Sequence, residues 1–184
     1  RKLGSTSALV EGLYFAAEKG ARIVNLSLAY APSAYPGAGL DEALEEMKSR
    51  GILVFAASGN QGIATVSYPA AHPSVIAVGA SQPTFASEDA GRATYGNYGT
   101  ALDLEVPGGA VDDVDGDGRV GAILGEAFHP ASPGDFAMWA SAATSGATAQ
   151  ASGVAALLLS AAATDSARVA SVRRAMESTA SRIT

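Results

Sequence analysis

The feature that most restricts the fold is a unit of amphipathic helix and apolar strand, joined through a glycine, that occurs twice in succession. Apolar side chains recur at helical spacing in residues 6–19, and a buried run follows at residues 23–28. The spacing returns in residues 40–47, before a second apolar run at residues 52–57. Two such units predict parallel strands, because each helix carries the chain back to the same end of the sheet.

The rest of the chain extends this pattern and then interrupts it. Residues 75–78 predict a third strand, and residues 102–106 predict a weaker fourth one. Residues 108–139 are rich in Gly, Asp and Pro, which predicts a long functional or ion-stabilised loop. A helix of small residues follows at about 145–160, which indicates burial on all sides. We therefore expect one α/β domain over residues 1–184, with a parallel sheet flanked by helices.

Composition excludes several classes of function. Lys and Arg number 12 against 18 Asp and Glu, giving a net charge of −6. The basic residues form no patch, so no nucleic-acid partner is expected. No stretch approaches the roughly 18 consecutive apolar residues of a membrane span, so no membrane partner is expected. The lack of cysteine excludes disulfides, thiolate metal sites and a cysteine nucleophile.

Three segments are expected at the carboxyl ends of the strands, where open parallel sheets carry their functional loops. They are residues 27–29, 58–62 and 144–146. Ser145, at the start of the small-residue helix, would lie beside free backbone N–H groups, and the amide of Asn60 would add a second donor for an oxyanion. This is half of an acyl-transfer site and lacks a general base. Plainer explanations remain open, since Ser145 could only cap its helix and Asn60 could only form a left-handed turn.

Five segments, in order along the chain, resemble the subtilisin-like serine protease family. They are GARIVNLSL (20–28), GILVFAASGNQG (51–62), YPAAHPSVIAVGA (68–80), LDLEVPG (102–108) and TSGATAQASGVAALLLS (144–160). The second resembles the strand and loop of the oxyanion-hole asparagine, and the last resembles the nucleophile helix. The resemblance implies a subtilisin-like parallel sheet flanked by helices. This chain would be its nucleophile-bearing portion, without the N-terminal strands and the histidine-bearing helix.

The resemblance also implies a role for each site residue. Ser145 would be the nucleophile, and Asn60 with the Ser145 backbone N–H would hold the oxyanion. The residues that would pair with the substrate backbone are Ser27, Leu28 and Ala29. The residues that would wall the pocket before the scissile bond are Ala57, Ser58 and Gly59. The implied function is a serine endopeptidase that hydrolyses polypeptides through an acyl-enzyme, and the family further implies secretion.

Neither histidine of the chain fits the role of general base. His72 lies in the YPAAHPSVIAVGA stretch, at a position that is not catalytic in the family, and His129 lies in the long loop. The family order is aspartate, histidine, then serine, so the base and its orienting carboxylate would lie upstream of Arg1. We therefore expect an upstream segment to be the partner that completes the site, and little activity from this chain alone.

Four residues depart from the family pattern. Ala143, Ala149 and Gln150 stand where a glycine, a proline and a histidine are usual, and Ala29 replaces the glycine of the substrate edge. A methyl group at Ala143 or Ala29 would restrict the backbone or narrow the cleft. These departures leave open a catalytically inactive subtilisin-like module with a binding or structural role. An unrelated nucleotide-binding α/β domain has little support, because no strand is followed by a GxGxxG motif or a P-loop.

The segment DVDGDGR, residues 113–119, resembles the start of an EF-hand-type calcium loop. The expected ligands are the carboxylates of Asp113, Asp115 and Asp117 and the backbone carbonyl of Arg119. Crowded carboxylates repel one another unless a cation neutralises them, so we expect a structural calcium ion here. A solvated acidic turn remains the alternative, because Gly121 and Leu124 stand where a full loop places its last two ligands.

Overall fold

The computed structural model describes residues 4–84, 87–113, 116, 118–129, 131–161 and 166–180. The elements in these residues are α1 (Thr6–Glu18), β1 (Ile23–Leu26), α2 (Ala38–Ser49), β2 (Leu53–Ala57), β3 (Ile76–Thr84), β4 (Ser87–Arg92), β5 (Leu104–Pro107), β6 (Ile123–His129), β7 (Ser132–Ser141), α3 (Thr144–Ala161) and α4 (Ser166–Thr179). Both predicted helix–glycine–strand units are present. Gly20 and Gly51 follow α1 and α2 with φ of 78° and 70°, the left-handed conformation that glycine adopts most easily.

The main sheet is parallel over most of its width, as predicted. β1 pairs with β2, β2 with β3 and β3 with β5, each in parallel. The second half of β3 extends beyond the predicted strand and pairs with β4 in antiparallel register. The α/β class with a parallel sheet flanked by helices is therefore confirmed.

Two apolar cores lie on opposite faces of this sheet, because alternate side chains of β2 point in opposite directions. Val54 joins the core that α1 and α2 cover through Leu13 and Leu44. Phe55 joins the core that α3 covers through Ala147. α3 contacts β1, β2, β3 and β5, so the helix packs across four strands of the sheet.

The prediction that α3 is buried on all sides is wrong. Its sheet-facing residues Ala147, Ala151 and Ala155 are buried, whereas Val154 and Leu157 are 47% and 71% exposed. Small side chains do not require burial on every side, because they only allow a close approach on the one face that meets the sheet. None of the helices in the described part of the chain is long and apolar enough to cross a membrane.

The prediction of a continuous loop between residues 108 and 139 is also wrong. β6 and β7 form an antiparallel hairpin that pairs Leu124 with Ala140 and Phe128 with Phe136. Large apolar side chains on this hairpin are exposed, so its strands lack the clean alternation of buried and exposed residues by which strands are recognised. Hydrogen bonds between the two strands form the hairpin, and the residue pattern of one segment does not reveal them.

Glu105 of β5 generates a prediction about pH. Burial raises the pKa of this half-buried carboxyl, and the charge of Arg92 offsets part of that rise. A raised pKa in the folded state means that the stability tied to the neutral carboxyl is fully present below the unfolded pKa. That contribution is lost as the pH rises through the folded pKa. We expect Glu105→Gln to melt at a higher temperature than the parent at pH 7, with the difference closing towards pH 4.

Thermal unfolding across this pH range measures the effect. Glu126→Gln, at an exposed position of the hairpin, controls for the change of one unit in net charge. An equal or lower melting temperature for Glu105→Gln at pH 7 would show that desolvation does not dominate at this carboxyl.

Candidate active site

The N-terminus of α3 is tied to the loop that follows β2. The Thr144 backbone N–H and the Thr144 hydroxyl both donate to Asn60 Oδ1, each at 2.9 Å. The Thr144 side chain is fully buried, which strengthens the contact by shielding it from water. Asn60 and the neighbour of Ser145 therefore meet at one edge of the sheet, although the two segments are far apart in sequence.

The bonds from Thr144 fix the orientation of the Asn60 amide. A backbone N–H can only donate, so the atom that it contacts is the amide oxygen. Asn60 Nδ2 lies on the other side of the amide carbon and has no acceptor among the residues that the structure describes. The Ser145 backbone N–H likewise has no acceptor within those residues. Asn60 Nδ2 and the Ser145 N–H are thus two donors without acceptors in the described residues, and an oxyanion hole requires donors of this kind.

Ser145 is also joined to the end of β1. The Ser27 hydroxyl donates to the Ser145 carbonyl at 2.8 Å, and the Ser145 hydroxyl reaches the Ser27 carbonyl at 3.4 Å. Asn25 Nδ2 donates to Ser27 Oγ at 3.0 Å, which holds that hydroxyl in place. The bond from Ser145 Oγ is long, so its hydroxyl remains available to a stronger acceptor.

Neither histidine lies against Ser145 in the described structure. His72 is buried, accepts a hydrogen bond from the Ser74 backbone N–H and lies within 4 Å of carboxylates on α2. His129 lies at the end of β6, where its ring contacts Trp139. Both have local packing roles, and within the described residues Ser145 Oγ has no basic partner.

The predicted substrate-binding segments flank this centre. Residues 27–29 are exposed and follow β1 directly, with Leu28 41% exposed. On the other flank the side chains of Ala57 and Ser58 are buried, and the Ser58 hydroxyl donates to the Asn97 carbonyl at 3.0 Å. Gly59 is buried as well, so exposed surface on this flank begins at Asn60.

The chain enters α3 through a tightly packed turn. The Ala143 N–H donates to the Gly108 carbonyl at 3.0 Å, and the Tyr95 hydroxyl contacts the carbonyls of Gly108 and Gly109 at 2.8 Å each. Burial raises the pKa of Tyr95 to about 12, so the phenol stays protonated as a donor across the neutral range. A Cβ on Gly108 would lie 2.4 Å from Ala80 Cβ, and only glycine fits there.

The departures from the family pattern fit the backbone without strain. Among the described residues Ser33 is the only non-glycine with a positive φ, so Ala143 and Ala29 both adopt conformations open to any residue. Gln150 Nε2 donates to the Pro107 carbonyl at 2.8 Å and so ties α3 to the end of β5.

The acidic segment is described only in part. Asp113 accepts hydrogen bonds from the Gly116 and Gly118 backbone N–H groups at 2.8 and 3.0 Å. Asp115 and Asp117 lie outside the described residues. Among those that are described, no group of three or more His, Cys, Asp or Glu side chains is arranged to hold a metal ion.

The sequence pattern does not assign a role to two residues of the site. Thr144 is predicted only as part of the nucleophile motif, and no motif includes Asn97. Asn97 is fully buried and contacts the loop of Asn60 through Gln61. An asparagine between turn residues has no distinctive local signal, because its partners lie more than 30 residues away.

Comparison with known proteins identifies the family of this chain. The model of the subtilase family matches residues 1–183. Subtilisin Savinase from Lederbergia lenta is 42% identical over 105 residues, which are 57% of this chain and 36% of that protein. Halolysin from Haloferax mediterranei is 37% identical over 105 residues, with 57% of this chain and 19% of that protein covered.

Two solved structures of proteases are also similar to this chain. A protease from Pseudoalteromonas arctica is 25% identical with a TM-score of 0.80, covering 98% of this chain and 53% of that one. The prenylagaramide maturation protease PagA is 30% identical with a TM-score of 0.66, covering 86% of this chain and 50% of that one. The chain thus spans about half the length of these structures. Because the family model matches almost every residue, this protein belongs to the subtilase family.

Proposed function

We propose that this chain supplies the nucleophile and the oxyanion hole of a serine endopeptidase that hydrolyses peptide bonds through an acyl-enzyme. The observation that carries the proposal is the pair of hydrogen bonds from Thr144 to Asn60 Oδ1, because they hold an amide donor beside Ser145. Subtilase membership supports a serine protease reaction at this centre.

Ser145 Oγ attacks the carbonyl carbon of the scissile peptide bond, and its proton passes to a histidine base. The carbonyl oxygen becomes an oxyanion, which Asn60 Nδ2 and the Ser145 N–H stabilise. The C–N bond then breaks, and the leaving amine takes the proton from the histidine. Water hydrolyses the resulting ester with the same base, which releases the acyl product and restores Ser145.

The histidine and its orienting aspartate come from an upstream segment that is not part of this chain. Two surfaces support this view. Among the described strands β1 pairs only with β2, so its other edge offers unpaired N–H and C=O groups to a further strand. On α3, the helix that begins at Thr144, Val154 and Leu157 expose apolar side chains that a further segment would cover.

The substrate is an extended polypeptide. Its backbone pairs with the exposed residues 27–29, in the manner of a strand added to a sheet edge. The backbone of Ala57, Ser58 and Gly59 walls the pocket for the residue before the scissile bond. We further infer that the protein is secreted, which rests on the family resemblance alone.

A catalytically inactive subtilase module is the second candidate. One observation favours it, namely that Ser145 Oγ contacts a carbonyl and no base within the described residues. In such a module the Thr144–Asn60 contact would be purely structural. An upstream sequence without a histidine and an aspartate would favour this candidate over the endopeptidase.

Covalent labelling tests the nucleophile. In the protein joined to its upstream segment, we expect a fluorophosphonate probe to modify Ser145, because only an activated serine reacts with it. Ser145→Ala should abolish labelling, while Ser141→Ala, a nearby exposed serine, should leave it intact. Chain 1–184 alone should remain unlabelled and inactive on peptides. Labelling at a serine other than Ser145 would refute the assignment.

Substitution of Asn60 tests the oxyanion hole. Asn60→Ala should lower kcat by roughly two to three orders of magnitude, the effect of losing one oxyanion donor. Asn60→Asp keeps an oxygen for Thr144 but loses the Nδ2 donor, so kcat should fall at least as far. Steady-state kinetics measure both variants. Near-parental kcat for Asn60→Asp would mean that the oxygen matters and the donor does not.

Calcium binding at residues 113–119 remains a proposal, with Asp113, Asp115, Asp117 and the Arg119 carbonyl as ligands. Each Asp113 oxygen that accepts a backbone N–H keeps a second lone pair for a cation. We expect calcium to release heat on titration and to stabilise the fold by about 2.7 kcal/mol at about 100 times Kd. Asp115→Ala should remove both effects, and Asp135→Ala on β7 should remove neither. Identical melting in calcium and in chelator would rule the site out.

A further inference from the structure

Asn97 lies beneath the loop that carries Asn60. Its side chain is 0% exposed, although the loop above it forms part of the molecular surface. Both the oxygen and the nitrogen of the Asn97 side-chain amide make hydrogen bonds. Oδ1 accepts from the Gln61 N–H at 2.9 Å and from the Ile63 N–H at 3.4 Å, while Nδ2 donates to Gln61 Oε1 at 2.8 Å and reaches Ser67 Oγ at 3.5 Å.

These bonds hold both peptide units that flank Asn60. The Asn97 backbone N–H donates to the Gly59 carbonyl at 3.0 Å, which fixes the peptide before Asn60. The Asn97 side-chain oxygen accepts from the Gln61 N–H, which fixes the peptide after it. Rotation about φ and ψ of Asn60 is therefore limited by one residue, which contacts the loop with its main chain and its side chain together.

The packing leaves little freedom at this contact. Gly59 has φ of 110°, and a Cβ built on it would lie 2.3 Å from Asn97 Nδ2. The loop therefore rests on the Asn97 amide without an intervening side chain. Thr144 restrains the far end of the Asn60 side chain, so Asn97 and Thr144 together determine where Nδ2 lies.

We propose that Asn97 is a positioning residue for the oxyanion donor Asn60, an inference that rests on the proposed function. Asn97 touches no reacting atom. Its effect on catalysis passes through Asn60, because it sets the backbone from which the Asn60 side chain extends. A shift of about 1 Å in a catalytic group is enough to cost about 100-fold in rate.

A double-mutant cycle in the protein with its upstream segment tests this proposal. Asn97→Ala should lower kcat by about 10- to 100-fold, with KM changed by less than about 3-fold. In the Asn60→Ala background the same substitution should change kcat by less than about 3-fold, because the group through which it acts is gone. Asn97→Asp keeps an acceptor for the Gln61 N–H and should recover most of the lost kcat.

One control variant and two further outcomes separate the possible failures. Ser74→Ala removes a buried hydroxyl that donates to Glu45 of α2, the helix on the sheet face opposite α3. This variant should lower stability without lowering kcat. If Asn97→Ala multiplies the loss in the Asn60→Ala background, Asn97 acts on the fold as a whole and the inference is overturned. If Asn60→Ala itself leaves kcat unchanged, the proposed oxyanion hole fails, which is a different result.

Amide hydrogen exchange on chain 1–184 gives a readout that needs no activity. Asn97→Ala, or Asn97→Ser if the alanine variant does not fold, should cause loss of protection at the Gln61 and Thr144 N–H groups. The N–H of Val54 in β2 should keep its protection. Equal loss at Val54 would assign Asn97 to global stability and overturn the inference.

Discussion

The structure of the site depends on the hydrogen bonds between Thr144 and Asn60. The first turn of any helix leaves backbone N–H groups without partners inside the helix. In α3 one of them is satisfied by an amide oxygen that comes from the loop after β2, so a distant segment performs the capping. This capping arrangement leaves the amide nitrogen of Asn60 and the N–H of Ser145 without acceptors in the described residues. The same contact therefore caps the N-terminus of α3 and leaves two N–H donors without acceptors.

Close approach of backbones makes that contact rigid. Gly59 rests directly on Asn97, and Gly108 rests on Ala80 and the Tyr95 hydroxyl. A side chain at either position would push the loop or the entry to α3 away from the sheet. The alanines of α3 serve the same purpose on the sheet side, because their small volume lets the helix axis lie close to β1 and β2. The position of Ser145 therefore depends on the small residues packed around it as well as on its hydrogen bonds.

The chemistry of the proposed reaction is divided unevenly between segments. In the proposed reaction this chain would supply the nucleophile and the oxyanion donors, which need only well-placed hydroxyl and N–H groups. The base and its carboxylate are assigned by the proposal to residues outside it. β1 leads directly into Ser27, whose hydroxyl and carbonyl contact Ser145. A strand added to the open edge of β1 would lie beside the strand that leads to this contact.

The sequence alone determined the parallel α/β class, the first two helix–glycine–strand units and the family, since these depend on local periodicity and on residues contiguous in the chain. It did not reveal the β6–β7 hairpin, the one-sided burial of α3 or the position of Asn97. Each of these depends on contacts between different segments, across a turn for Phe128 with Phe136 and over 36 residues for Asn97 with Gln61. Ser145 and Asn60 were identified as residues of interest from their motifs. Only the tertiary structure decided that the Asn60 oxygen accepts bonds from Thr144 while its nitrogen has no acceptor in the described part of the chain, because the direction of an amide is fixed by the donors that fold against it.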